Sequence, residues 1–238
     1  MKISPSELAV NKDPANISIQ IINELDSYVP NWYYELEPTI NKLHDHDPTL
    51  RYEAIHKLKA TKTRSFVKQL QPFKFDSAAI VRNAAQNKLR PIESYYRAKF
   101  FYFENKMKKF PNYAGYRLGF AIICLRYCQM WVQDTKLQDY FLRDALRQLN
   151  RLIRTVEPKK CYFYYRGQVL KTMHQTTLAI ADFKIVLEKD PKHWGAILKL
   201  IDLYINNKQP HKSFNLLQTH QDSIPEALKE YLLRLNTN

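Results

Sequence analysis

The feature that most limits what this chain can fold into is an internal copy. The run His46-Asp47-Pro48-Thr49-Leu50-Arg51-Tyr52-Glu53-Ala54, continuing to Leu58, is echoed by Asp76-Ser77-Ala78-Ala79-Ile80-Val81-Arg82-Asn83-Ala84-Ala85, continuing to Leu89. Leu50/Val81, Arg51/Arg82, Ala54/Ala85 and Leu58/Leu89 are each 31 residues apart. A fixed period of this length marks units that stack, because one unit cannot bury its apolar face alone. In each copy the apolar residues recur at helical spacing, the aspartate is read as an N-cap, and the alanine lets a neighbouring helix approach. Ile17, Ile21, Leu25 and Tyr28 share one helical face as well. Trp32, Leu36, Ile40 and Leu43 repeat that spacing, with a break expected at Pro38. No alternating run is long enough for a sheet, and only the short Tyr162–Tyr165 cluster mimics a strand. The 4 glycines in 238 residues argue against Gly-rich phosphate loops and doubly wound nucleotide folds. The expected fold class is all-α.

The 31-residue copies resemble the second helix of HEAT-type repeats, whose signature is Asp-Pro, then apolar-Arg, then Ala. The second half resembles the tetratricopeptide (TPR) repeat, a helix pair of about 34 residues. Counted from Lys160, Phe163, Gly167, Leu170, Ala179, Phe183, Val186 and Pro191 take its preferred positions, while Arg166 departs from the usual leucine. By that resemblance Gly167 and Ala179 are small where the two helices touch, and Phe183 fills the space between repeats. A degenerate copy starts at Trp194, with Leu200, Tyr204, Leu217 and Pro225 in register, Ile201 for the glycine and Ser213 for the alanine. An earlier unit starts at Asn112. It is about 14 residues too long, so its first helix is expected to run to Trp131 and a loop at Asp134–Asp139 to lead to its second helix. Pro225 to Leu235 is read as a capping helix.

The layout expected is an α-solenoid of antiparallel helix pairs. Residues 1–30 form an N-terminal extension and first helix, 31–94 the HEAT-like repeats, and 95–238 a linking helix (Tyr95–Lys109), the TPR repeats and the cap. Val81-Arg82, Ala85-Gln86, Leu89 and the segment Tyr140-Phe141-Leu142-Arg143-Asp144-Ala145-Leu146 resemble one family with this order, the E component of the Pel exopolysaccharide secretion machinery. The resemblance implies a scaffold at the cytoplasmic side of the inner membrane, in a bacterial exopolysaccharide complex. The family's membrane-spanning N-terminus has no counterpart here. Met1–Ile22 lacks a basic segment followed by an apolar one, and the longest apolar stretch, Leu118 to Leu125, falls far short of the ~18–20 residues that cross a bilayer. A soluble cytoplasmic chain is expected, held at the membrane by a partner or a missing anchor.

No catalytic motif is visible, and no enzyme activity, cofactor or small-molecule substrate is expected. His44-Asp45-His46-Asp47, with His56 beyond, has the residue types of a metal site. Known spacings place two histidines on one helix face, so the segment is read as a turn with capping aspartates and no metal. Cys124, Cys128 and Cys161 are too few and too odd for a disulfide framework, and the first two are read as small core residues.

Charge says more. The 37 Lys+Arg against 23 Asp+Glu give a formal +14. On a helix expected over 141–156, Arg143, Arg147, Arg151 and Arg154 fall within an arc of ~80°, opposite Ala145, Leu146, Leu149, Leu152, Ile153 and Val156. This basic stripe is either a solvated face or the mark of an acidic partner. Tyr95–Arg117 interleaves aromatics with lysines, the pattern of a single-strand nucleic-acid platform, but it is read as a helix packed between repeat blocks with aromatics inward and lysines outward. The TPR resemblance implies a concave groove lined by Tyr113, Tyr116, Phe120, Ile123 and Cys124, then Tyr164, Gln168 and Lys171, then Leu198 and Asp202. A groove of this kind takes an apolar or aromatic helix or peptide. The function expected is therefore a non-enzymatic scaffold for a protein partner. The alternative is a nucleic-acid-binding helical repeat, against which stands the lack of a base-reading code.

Overall fold

The computed structural model describes residues 41–59, 61, 63–131 and 135–220. The regular elements among them are all helices, including the Tyr162–Tyr165 cluster. The repeats expected before residue 41 and the cap at Pro225–Leu235 lie outside the described residues. The chain divides into two compact units, with a break between Pro158 and Lys159.

The first unit holds α1 (Pro48–Lys57), α2 (Arg64–Leu70), a 3-10 turn (Gln71–Phe75), α3 (Ala79–Lys109), α4 (Ala114–Met130) and α5 (Thr135–Ile153). The 31-residue period is physical. The Asp45 carboxylate accepts the Asp47 N–H at 2.9 Å, and Asp76 accepts the Ala78 N–H at 2.9 Å. Arg51 Nη1 donates to the carbonyls of Asp45 and His46, at 2.8 and 2.9 Å. Arg82 Nη1 donates to those of Asp76 and Ser77, both at 2.7 Å. The two copies are then tied together, because Arg51 Nε and Nη2 grip the Asp76 carboxylate at 3.0 and 2.8 Å. Ala54, Leu58, Val81, Ala85 and Leu89 are buried together in the core. One expectation is corrected. Asp47 is the N-cap of α1, accepting from Thr49 N at 2.8 Å, but Asp76 does not cap α3. That place belongs to Ala78, and Asp76 turns to Arg51 instead.

This pairing makes stability acid-sensitive. The Arg51 hydrogen bond, helped by the Ala78 N–H and the Arg51 and Arg82 charges and opposed by desolvation, holds the Asp76 carboxyl below its ordinary value. A carboxyl depressed in the folded state is protonated first in the unfolded chain, so its stabilisation is present above pH ~4 and fades as pH falls further. Asp76→Asn is expected to lower the urea midpoint at pH 7 and to flatten its decline between about pH 5 and pH 2. Parallel pH curves for the two proteins would show that the pair contributes nothing.

α3 is a single helix of 31 residues, about 46 Å long. It fuses the second copy to the expected linking helix, and the 94/95 boundary falls inside it. Pro91 lies within it without ending it, at the cost of one backbone hydrogen bond. Its buried residues Val81, Ala85, Leu89, Ile92 and Tyr96 form one stripe. α4 is apolar nearly all round, burying Phe120, Ala121, Ile123, Cys124, Leu125, Cys128 and Met130, as a helix packed on several sides must. It packs against α3 and α5. Gly119 lets α3 come close, since a Cβ there would sit 2.4 Å from the Phe103 ring. α5 begins at Thr135, so the loop expected over Asp134–Asp139 is shorter than the repeat arithmetic suggested. Gln138 explains this. Its amide donates to the Cys128 carbonyl at 3.1 Å and to that of Trp131, clamping the start of α5 to the end of α4.

The second unit holds α6 (Lys160–Thr172), α7 (Thr176–Lys189), α8 (Trp194–Asn206) and α9 (Pro210–Thr219). Its two hairpins, α6–α7 and α8–α9, share one geometry 34 residues apart. His174 and Lys208 are left-handed, at φ 59° and 55°. Gln175 N donates to Leu170 O at 2.9 Å, and Gln209 N to Tyr204 O at 2.8 Å. Met173 N to Val169 O and Asn207 N to Leu203 O match likewise. The nearest neighbour of Gly167 is not Ala179, as expected, but Phe183, whose ring lies 2.9 Å from where a Cβ would be. In the second hairpin the equivalent positions are Ile201 and Leu217, both buried. Bulk lost from one helix is gained by the other, which is why the copy tolerates losing its glycine. Arg166, the departure from leucine, donates from Nε and Nη2 to Asp182 at 2.8 and 2.6 Å. Asp182 is 2% exposed.

Candidate binding surfaces

Within the first unit the expected groove positions do not all reach the surface. On α4, Tyr113 precedes the helix and is 59% exposed, but Phe120 is 3% exposed and Ile123 and Cys124 lie in the core. The physical reason is that α3 covers this face, with the Phe100 ring 6.3 Å from that of Phe120. Burial pushes the Cys128 thiol up to about 12 and raises Cys124 too, as core thiols. In the second unit, Tyr164 and Lys171 on α6 face α8. The Tyr164 ring lies 4.7 Å from His193, and burial raises its phenol. Lys171 pairs with Asp202, which also accepts from Asn206 at 2.9 Å. These two expected groove charges therefore neutralise each other and tie α6 to α8. Gln168 and Leu198 are half-buried on the same two helices.

The arginine stripe is shorter than expected. Arg143 pairs with Asp139 at 2.8 Å and Arg147 with Asp144 at 2.9 Å, both along α5. Arg154 lies beyond the end of α5, and Val156, expected on the packed face, is fully exposed there. Exposed pairs of this kind are worth about 0.3–0.5 kcal/mol, so they hold little, yet they cancel charge. Arg151 and Arg154 keep theirs, being exposed and without an ion pair among the described residues.

A surface the periodicity did not place lies on the C-terminal half of α3 and the start of α4. Aromatics were expected inward and lysines outward. Tyr96 and Phe100 do turn in, with Phe100 stacked on Phe141 at 4.5 Å and 7°. Phe101, Tyr102 and Phe110 turn out, 67%, 45% and 42% exposed. Four consecutive aromatics, Phe100 to Phe103, step by 100° each and cannot share one face; that was the available signal. Lys106 Nζ sits 5.7, 5.6 and 5.9 Å from the rings of Tyr102, Phe110 and Tyr116. Lys99 lies 5.9 Å from Tyr102, and Lys109 5.5 Å from Phe110. Such contacts are worth about 0.5–1 kcal/mol each at exposed sites. They hold the rings and the charges in one patch.

The histidine segment is a turn. The His44 ring lies 6.2 Å from Phe73 and that of His56 5.9 Å from Tyr52, while His46 offers its carbonyl to Arg51. Among the described residues no three His, Cys, Asp or Glu side chains converge as a metal would require, and no helix is long and apolar enough to cross a membrane. Compared with known proteins, the chain matches no family model, no curated protein and no solved structure.

Proposed function

We propose that this chain is a non-enzymatic helical-repeat scaffold that docks an acidic protein partner on the aromatic–lysine face of α3 and α4. The observation that carries this reading is the patch itself. Phe101, Tyr102, Phe110 and Tyr113 are exposed within a few residues of Lys99, Lys106 and Lys109. Exposed aromatic clusters of this kind mark interaction sites, and the charge asks for an acidic occupant. The shared turn geometry of α6–α7 and α8–α9 supports TPR-type pairs, and the Asp76–Arg51 link supports HEAT-type stacking. By the Pel-type resemblance, the partner belongs to a bacterial exopolysaccharide assembly complex, and the scaffold works at the cytoplasmic face of the inner membrane.

The test is a comparison of variants. Tyr102→Ala and Phe110→Ala are expected to weaken capture of the partner by at least tenfold, mainly through faster dissociation. A buried hot-spot ring contributes about 2 kcal/mol or more. Arg151→Glu with Arg154→Glu is expected to slow association and flatten its salt dependence, leaving dissociation alone. If all these variants bind as wild type does, the docking face is elsewhere.

The same exposed rings favour a second reading, a single-stranded nucleic-acid surface, because every base offers a π-face to a ring flanked by cations. A fluorescent oligonucleotide titrated against wild type and Phe101→Ala/Tyr102→Ala separates the two. Affinity lost with the rings supports stacking, whereas affinity that depends on salt alone is nonspecific attraction.

A further inference from the structure

On the first unit, residues of α2, α3 and α4 line an open cleft of about 280 Å³ whose lining carries no carboxylate. Its floor is apolar and aromatic, with Ile123 and Met130 buried and Tyr96 4% exposed. Arg64, the first residue of α2, and Arg126, on the outer side of α4, both line it and are exposed, as does the half-buried Gln129. Neither arginine has an ion-pair partner among the described residues, and the Tyr96 hydroxyl makes no hydrogen bond among them. Arg126 acts on that hydroxyl. Burial first, then Tyr95, raises the Tyr96 phenol, and the Arg126 charge opposes them.

The groups around this cleft donate. Two guanidinium groups, a phenol O–H and a carboxamide line the cleft beside the apolar Ile123 and Met130. The Tyr96 side chain lines the cleft and its hydroxyl can donate to a ligand oxygen there. Guanidinium forks match the oxygens of a phosphoryl group, and two positive charges suit a dianion better than a monoanion. The volume is just under the range of drug-sized pockets, roughly 300–1,000 Å³, so the ligand is compact.

We propose that this cleft binds a phosphate monoester carried on a compact apolar or aromatic body. Arg64 and Arg126 clamp the phosphoryl oxygens, the Tyr96 hydroxyl donates from the floor, and Ile123 and Met130 hold the body. The cleft adjoins the aromatic–lysine docking face, since Lys99 Nζ lies 5.7 Å from the Tyr95 ring that lines it, but its existence does not rest on the scaffold reading. The phosphate arrives either on a free small molecule or on a phosphorylated side chain.

Calorimetry on the full chain tests it, with phenyl phosphate as the probe and benzyl alcohol as the neutral control. Phenyl phosphate is expected to saturate one site, and benzyl alcohol to show none. Arg64→Gln and Arg126→Gln are each expected to weaken binding at least tenfold with unchanged melting temperature, because both side chains are exposed. Arg90→Gln, exposed on another face of α3, is the charge-matched control and is expected to bind as wild type does. Tyr96→Phe is expected to weaken binding about threefold or more; if that variant fails to fold, the two arginine variants still decide. A phosphotyrosyl pentapeptide that binds tighter than phenyl phosphate assigns the site to phosphorylated protein, and the reverse order to a small molecule. Absence of saturable phenyl phosphate binding, or an equal loss in Arg90→Gln, overturns the proposal.

Discussion

Arg166→Leu is expected to destabilise the second unit by about 3–5 kcal/mol, the range for breaking a buried ion pair. Leucine is the residue the TPR resemblance favours at this position, so the substitution looks like a repair. It is damaging because of Asp182. That carboxylate is 2% exposed, and its oxygens are held by Arg166 Nε and Nη2 at 2.8 and 2.6 Å. Remove the guanidinium and a charge is left in the core. The second hairpin indicates the cure, since its equivalent positions are Leu200 and Leu216. The double variant Arg166→Leu/Asp182→Leu is therefore expected to return to within about 1–2 kcal/mol of wild type, a strong non-additivity. Urea midpoints of the two single variants and the double measure it. A double variant no more stable than Arg166→Leu alone would show that the pair is not the cause.

Phe183→Ala is the other large effect, expected at about 3–5 kcal/mol for an aromatic ring lost from a closed core. The ring is fully buried and lies against Gly167, which has no side chain to fill the space it leaves. Its sign dependence makes it diagnostic. In wild type, Gly167→Ala puts a methyl 2.9 Å from the ring and is expected to cost about 1–3 kcal/mol of overpacking. In the Phe183→Ala background the same change meets a void and gains helix propensity worth up to ~1 kcal/mol. There it is expected to stabilise. Thermal unfolding of the four proteins gives both signs, and a Gly167→Ala effect equal in the two backgrounds would mean that the glycine and the ring do not meet.

Legibility in the sequence followed the range of the forces involved. The 31-residue and 34-residue spacings were readable because each is set by one helix pair and its turn. Helix phase was readable wherever apolar residues recur sparsely, as at Val81, Ala85 and Leu89. It failed where they are dense. α4 is apolar on every side, so the positions that a TPR groove would expose could not be told from those that α3 covers, and Phe120 was placed on the wrong side. Tyr95–Lys109 failed for the same reason, since aromatics on all faces carry no phase. The pairings of Arg166 with Asp182 and of Lys171 with Asp202 were hidden for another reason. An ion pair between helices joins positions 16 and 31 residues apart, and nothing in the spacing distinguishes them from solvated charges. The cleft between Arg64 and Arg126 needs three helices to exist at all.

The unbroken run of α3 bears on how such a chain is able to lengthen. Tandem duplication adds a unit cleanly only where one helix has ended and the next has not begun. After the second 31-residue copy there is no such place, because Ala79–Lys109 continues from the repeat straight into the neighbouring bundle. A third copy spliced at residue 90 would cut a helix and separate Val81 and Ala85 from Tyr96, which share its buried stripe. The permissive joint lies earlier, between Leu58 and Thr63, where α1 has ended and α2 has yet to start. Relatives with more repeats are therefore expected to carry their extra copies on the N-terminal side of Arg64, with the segment from Ala79 to Met130 constant in length.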